Sequence, residues 1–168
     1  MAYGVDAPAY WAPELEGDEL SELTQERCVI IAEHFFLRGV LPVRVHDADD
    51  AFEWGVWVSV SEANYRRAIE LWDDERREQT PPMFGWLSTD LPVYEPTTIN
   101  LKTMVHKRAP GLRPVVELEH TDHPLAVEYH QGITVARVAE IAALMHQVDR
   151  QHRGGRGRPW RRRARPKS

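Results

Sequence analysis

Cysteine is almost missing: the 168-residue chain has one, Cys28. A lone thiol excludes an internal disulfide and a cysteine-built zinc site. Long apolar runs are missing as well. No window approaches the roughly 20 apolar residues that a membrane-crossing helix needs. The opening MAYGVDAPAYW has no basic stretch leading into an apolar one, so no secretory signal is expected. There is no Gly-rich phosphate loop, no G-x-S-x-G elbow, no H-E-x-x-H pair and no internal repeat. These absences predict a cytoplasmic protein with no membrane partner, no cofactor and no metal.

What is present is ordinary in amount and uneven in place. Apolar residues make up 42% and charged residues 28%, as in a soluble globular protein, and the length suits one domain with a real core. Six tryptophans are more than expected, and each buried indole N–H needs an acceptor. The net charge of −5 hides an asymmetry. Segment 150–168, RQHRGGRGRPWRRRARPKS, holds nine of the basic residues and no acid, so residues 1–149 carry 12 basic and 26 acidic side chains. That acidic body disfavours nucleic acid. The tail is low in complexity and is expected to be disordered, since it has too little apolar surface to offset the entropy of ordering. Only this tail has the arginines and aromatic that suit nucleic-acid contact. The simpler reading is an extension that stays in solvent or folds back on the acidic body.

The sharpest local pattern runs from Ala51 to Asp74. Phe52, Trp54, Val56, Val58 and Val60 alternate as a half-buried strand does. Ser61 then suits an N-cap with Glu62 in the first turn, and Tyr65, Ala68, Ile69 and Trp72 give a helix one apolar face. Residues 1–26 read as an irregular lead-in, with a short helix near Ser21-Glu22-Leu23. Strands are expected at Arg27–Ile31, at Glu33–Arg38 with a turn at Gly39, and at Leu41–His46. Met83–Ser88 reads as a short strand or an aromatic loop. Thr97–Lys107 and Arg113–Glu119 read as a hairpin around a Pro110-Gly111 turn. Matching the apolar faces puts Val105 opposite Val116, Thr103 opposite Leu118, Met104 opposite Glu117 and Lys102 opposite Glu119. A short helix is expected from Pro124 and a last one over Thr134–Val148. The sum is an α+β fold: a mostly antiparallel sheet of about six strands with two or three helices packed on it. One domain is expected over 1–149, followed by the disordered tail 150–168.

Several stretches carry a resemblance: VDAPAYW (5–11), CVIIAEHFFLRGVLPV (28–43), FEWGVWVSVSEANYRRAIELWDD (52–74), FGWLSTDLPVY (84–94), LKTMVHKRAPGLRPVVELE (101–119), TDHPLAVEYHQGIT (121–134) and VAEIAALMH (138–146). Through them the chain, from about Val5 to His146, resembles a bacterial family catalogued as domain-of-unknown-function family 2199. The resemblance implies a single bacterial domain and brings no activity, substrate or catalytic residue with it. Many members of the family look as if they begin with a segment carrying a Cys-x-x-Cys pair, just before the stretch like VDAPAYW. Any metal site in that segment is expected to be missing here. The Arg-rich tail lies outside the resemblance.

The densest polar cluster runs from Glu117 through Glu119, His120, Asp122 and His123 to Glu128 and His130. Carboxylates beside imidazoles are what a divalent metal or an acid–base pair requires. The simpler reading places Glu117 and Glu119 on the wet face of a strand, Asp122 as an N-cap and the histidines at the surface. Lys102 and His106 share a strand face opposite those glutamates, as one wall of a polar pocket or as a cross-strand charge ladder. Cys28 beside Val29-Ile30-Ile31 reads as a buried thiol and not as a nucleophile. Trp57 and Trp86, with Trp54, Phe84 and Tyr94, are candidates to line a groove. Trp57 matters most, because alternation sends it to the face opposite Trp54. The residues thus favour a non-enzymatic binding or interaction domain with an unknown protein or small-molecule partner. The alternatives are a small metal-dependent or acid–base hydrolase using the 117–130 cluster, and nucleic-acid contact through the tail.

Overall fold

Alternation at period two becomes strand, and spacing near three and a half becomes helix, along most of the chain. The computed structural model describes residues 1–154. Its strands are β1 (Ala2–Gly4), β2 (Glu22–Leu23), β3 (Arg27–Ile30), β4 (His34–Val43), β5 (Phe52–Val60), β6 (Met83–Leu87), β7 (Lys102–His106) and β8 (Val115–Leu118). Helix α1 (Glu62–Glu70) follows β5, and α2 (Pro124–Gln131) and α3 (Val135–Gly154) follow β8. Ser61 caps α1 by accepting the Asn64 N–H at 3.2 Å, and Thr134 accepts the Arg137 N–H at 3.1 Å at the start of α3. No helix of the described residues is long and apolar enough to cross a membrane.

The fold is α+β with a mixed sheet in the order β1-β5-β6-β7-β8-β4-β3-β2. An additional pairing of β4 with β5 closes β4, β5, β6, β7 and β8 into a five-stranded barrel, and β1, β2 and β3 extend it. The expected mostly antiparallel direction holds for six of the eight pairings, but the expected number of about six strands is corrected and the sheet is mixed. Eight strands are described, and β1 lies parallel to β5 and β8 parallel to β4. Short hairpin links force neighbours such as β4 and β5 to run antiparallel. Strands β1 and β8 reach their partners from far along the chain, so no tight turn dictates their direction.

The β7–β8 register is the one that the apolar faces require, with Val105 opposite Val116, Thr103 opposite Leu118 and Met104 opposite Glu117. The strand expected from Thr97 begins only at Lys102. Asn100 takes a left-handed backbone (φ 67°), and the Thr98 hydroxyl donates to Thr89 O while accepting the Leu91 N–H, folding 97–101 into a turn.

Gly39 is not a turn. Phe35, Leu37, Leu41 and Val43 stay in phase across it, and β4 runs straight through for ten residues. The glycine is needed because β8 comes close. A Cβ at position 39 would lie 2.7 Å from Val116 Cγ2 and 2.9 Å from the Pro114 carbonyl.

Strand β5 is buried on both faces. Trp54, Val56 and Val58 enter the barrel core, while Trp57 joins Cys28, Ile30 and Phe36 in a second cluster covered by Tyr10, Trp11, Leu15 and Leu23. The lead-in is therefore structured. It contributes β1, a 3₁₀ turn at Pro13–Leu15, and β2, which pairs Glu22 and Leu23 with Val29 and Cys28 where a helix was expected. At the other end, α3 takes in residues 150–154, so the first part of the expected tail is helical. The rest of that expectation, and with it the nucleic-acid reading of the tail, lies outside the described residues.

Candidate functional site

The side chains singled out from the sequence do not form one site: Lys102, His106, Glu117 and Glu119 share the β7–β8 hairpin, and Trp57 and His123 lie elsewhere. Trp57 is wholly buried, and its indole N–H donates to Val5 O at 3.1 Å. Trp54 and Tyr94 belong to the barrel core. Trp86 is half-buried on β6 and meets the exposed Phe84 edge to face at 5.0 Å. Lys102 and Glu119 pair through their backbones, with Glu119 N–H donating to Lys102 O at 3.0 Å. The ion pair on that face instead joins His106 and Glu117, Nε2 to Oε2 at 2.7 Å. His120 is exposed and stacks on His130 with 3.5 Å between ring centres, while His130 reaches Leu118 O. Asp122 is exposed and is not the helix cap. His123 caps α2 instead: its Nδ1 accepts the Leu125 N–H at 3.1 Å, which leaves Nε2–H to donate to Pro96 O at 2.9 Å. Among the described residues, no group of three His, Cys, Asp or Glu is placed to hold a metal ion.

A different site emerges where β4 changes partner. On one edge β5 pairs with β4 from Phe35 to Val43. On the other edge β3 covers His34 to Leu37, and β8 takes over at Val40. Arg38 sits at the change. Its N–H donates to Glu26 O at 2.9 Å, and the Val40 N–H donates to Pro114 O at 2.9 Å. Two strand beginnings, Glu26 before β3 and Arg113-Pro114 before β8, thus meet beside one residue. A cleft of about 450 Å³ opens there.

The apolar part of its lining comes from Leu37 of β4, Ala68 of α1 and Trp72 just past that helix. Its outer wall is the turn before β8, where Gly111 supplies the left-handed residue (φ 85°). Arg77 fixes that wall. It is buried, and its guanidinium donates to the carbonyls of Trp72 (2.7 Å), Arg108 (2.6 Å), Ala109 (2.9 Å) and Leu112 (2.9 Å). A planar fork of five donors can serve several carbonyls at once, which an ammonium cannot do as well. Arg27 and Arg77 also lie 5.4 and 5.7 Å from the Trp72 ring centre, within cation–π range.

The cleft is strongly basic. Arg38, Arg77, Lys107, Arg108 and Arg113 line it against one carboxylate, Glu26. Burial lowers the pKa of the Arg38 guanidinium below its usual range, and the neighbouring Arg113 adds to this. Burial likewise lowers the Lys107 ammonium, with Arg67 contributing. Arg113 is raised, chiefly by its hydrogen bonds to Glu26. Those bonds are bidentate, Nε to Oε2 and Nη2 to Oε1, both at 2.9 Å. Arg38 Nε is buried without a hydrogen-bond partner among the described residues. Cations that are partly removed from water attract an anion more strongly than the same cations fully solvated. The described lining includes no hydroxyl, thiol or imidazole.

Sequence reading passed over these residues because they come from five separate stretches. One signal was there to be read: residues 97–116 hold four Lys or Arg and no acid, inside a body with a large excess of acid.

A family model described as an uncharacterized protein conserved in bacteria (DUF2199) matches residues 1–133, a span that includes the whole cleft. No curated protein and no solved structure matches the chain.

Proposed function

The chain belongs to the DUF2199 family, whose description gives no activity, and from the cleft we propose that it is a non-enzymatic domain that binds a small anionic molecule. One observation carries this reading. Five cationic side chains and one carboxylate surround an apolar floor, on a chain whose net charge is −5. An acidic protein repels anions at long range. A concentrated set of partly buried cations on such a protein is poorly explained as general surface charge. The Arg77 contacts give the wall a fixed shape, which lowers the entropy lost when a ligand binds. A cleft of this size with a few placed polar groups fits a small molecule.

Titration calorimetry tests this with inorganic phosphate and benzoate as anions and benzylamine as a cationic control. The anions should bind and benzylamine should not. Anion affinity should fall as ionic strength rises. Replacing Lys107 by Met and Arg108 by Ala together should weaken anion binding by about tenfold or more, since each charge-assisted contact contributes about 1.5–3 kcal/mol when well formed. Equal binding of benzylamine, or no change in the double variant, would remove the reading.

A further inference from the structure

We propose that Glu26 is a built-in stand-in for the ligand, so that the cleft's ligand is a carboxylate carried on a small apolar body. This rests on the cleft being an anion site. Glu26 is the one acid in the lining, and both its oxygens face the Arg113 fork, at 2.9 and 2.9 Å with a third contact at 3.2 Å. That is the geometry by which arginine recognises a carboxylate. The pair is accessible, with the two side chains 36% and 37% exposed, so an entering anion can reach the Arg113 fork and compete with Glu26 for it. Exchange needs no backbone movement. The Glu26 carbonyl stays bonded to the Arg38 N–H at 2.9 Å, and its N–H donates to Thr24 Oγ1 at 3.3 Å. The side chain can swing out while its main chain remains part of the sheet. A carboxylate entering the cleft takes over the Arg113 fork, and its apolar body lies over Leu37, Ala68 and Trp72. Lys107, Arg108 and Arg38 line the same cleft and add to its positive field.

While Glu26 holds Arg113, the competent cleft is a minor population, and apparent affinity falls by the fraction that is open. Benzoate and inorganic phosphate titrated into wild type, Glu26→Gln and Glu26→Asp separate the possibilities. A latch closed nine-tenths of the time predicts that Glu26→Gln binds benzoate about tenfold more tightly than wild type. Glu26→Asp keeps the negative charge but falls one methylene short of the fork, so it should also bind benzoate more tightly than wild type. Phosphate should gain less than benzoate in both variants. In the double variant Glu26→Gln/Arg113→Lys the benzoate gain should disappear. Thermal melts show whether each variant is folded, and Glu26→Asp provides the test if Glu26→Gln is not. Unchanged benzoate affinity in folded Glu26→Gln or Glu26→Asp overturns the stand-in and leaves the anion cleft intact. A larger gain for phosphate overturns the carboxylate class. Persistence of the gain in the double variant overturns Arg113 as the receiving group. No anion binding to any of these proteins overturns the cleft reading itself, and this proposal with it.

Discussion

At the scale of the residue, Arg77 holds more of the cleft together than any side chain that touches its opening. Four carbonyls from two segments depend on one guanidinium. Lysine brings a charge but no fork, so Arg77→Lys strands acceptors that have already lost contact with water. The expected loss is about 2–4 kcal/mol in urea denaturation, together with weaker anion binding because the 108–112 wall loosens. Cys28 shows the opposite kind of residue, one enclosed by apolar side chains. It is fully buried, and burial, with a smaller contribution from Glu22, pushes its thiol up to about 12. The folded protein at pH 8 should therefore react with a thiol reagent only as fast as it opens, and denaturant should restore ordinary reactivity. The buried thiol was legible from its apolar neighbours. The role of Arg77 was not, because its partners lie up to 35 positions away.

At the scale of the element, β4 is the strand on which the site depends. It belongs to two pairings on one edge, and the gap between them is the cleft. Gly39 makes the second pairing possible. Gly39→Ala should cost about 1–3 kcal/mol, the usual range for overpacking, because one of the atoms it meets is backbone and cannot turn away. A thermal melt measures this, and the loss should be smaller in Gly39→Ala/Val116→Ala, which removes the methyl at 2.7 Å. The sequence marked Gly39 as a turn because glycine is commonest there, and nothing local distinguishes a turn from a close approach by a distant strand. The β7–β8 hairpin was readable to the residue because a slip by one would send Val116 and Leu118 into water.

At the scale of the molecule, the N-terminal segment closes a second core. Trp57, Phe36 and Cys28 have no exposed surface, and Tyr10 and Trp11 lie over them. Removing residues 1–12 should shift tryptophan fluorescence to the red and lower stability by about 3 kcal/mol or more, since a buried tryptophan alone contributes on that order. A red shift with unchanged stability would mean that this cover adds little. The molecule should also weaken in alkali. Cys28 at about 12 and Tyr65 and Tyr94, which are raised mainly by burial, hold their protons more tightly when folded. A raised folded pKa favours the folded state fully below the unfolded value, about 8.5 for cysteine and 10 for tyrosine. That advantage is lost as pH climbs towards the folded values. Denaturation midpoints should accordingly fall from about pH 8.5 upward, and Cys28→Ala should flatten the first part of the decline.

Local patterning along the chain is enough for the α+β class, the strand-to-helix unit from Phe52 to Glu70, the hairpin register and the burial of Cys28. Each follows from patterning over neighbouring residues, where one shift would expose a whole apolar face. The closure of the sheet into a barrel, the parallel runs of β1 and β8 and the covering of Trp57 by the N-terminal segment are visible only in the folded chain. Those outcomes depend on contacts between distant segments, which local periodicity does not encode. The basic cleft is of the same kind. Its charges are scattered from Glu26 to Arg113, and they become one site only because β4 exchanges one strand for another at Arg38.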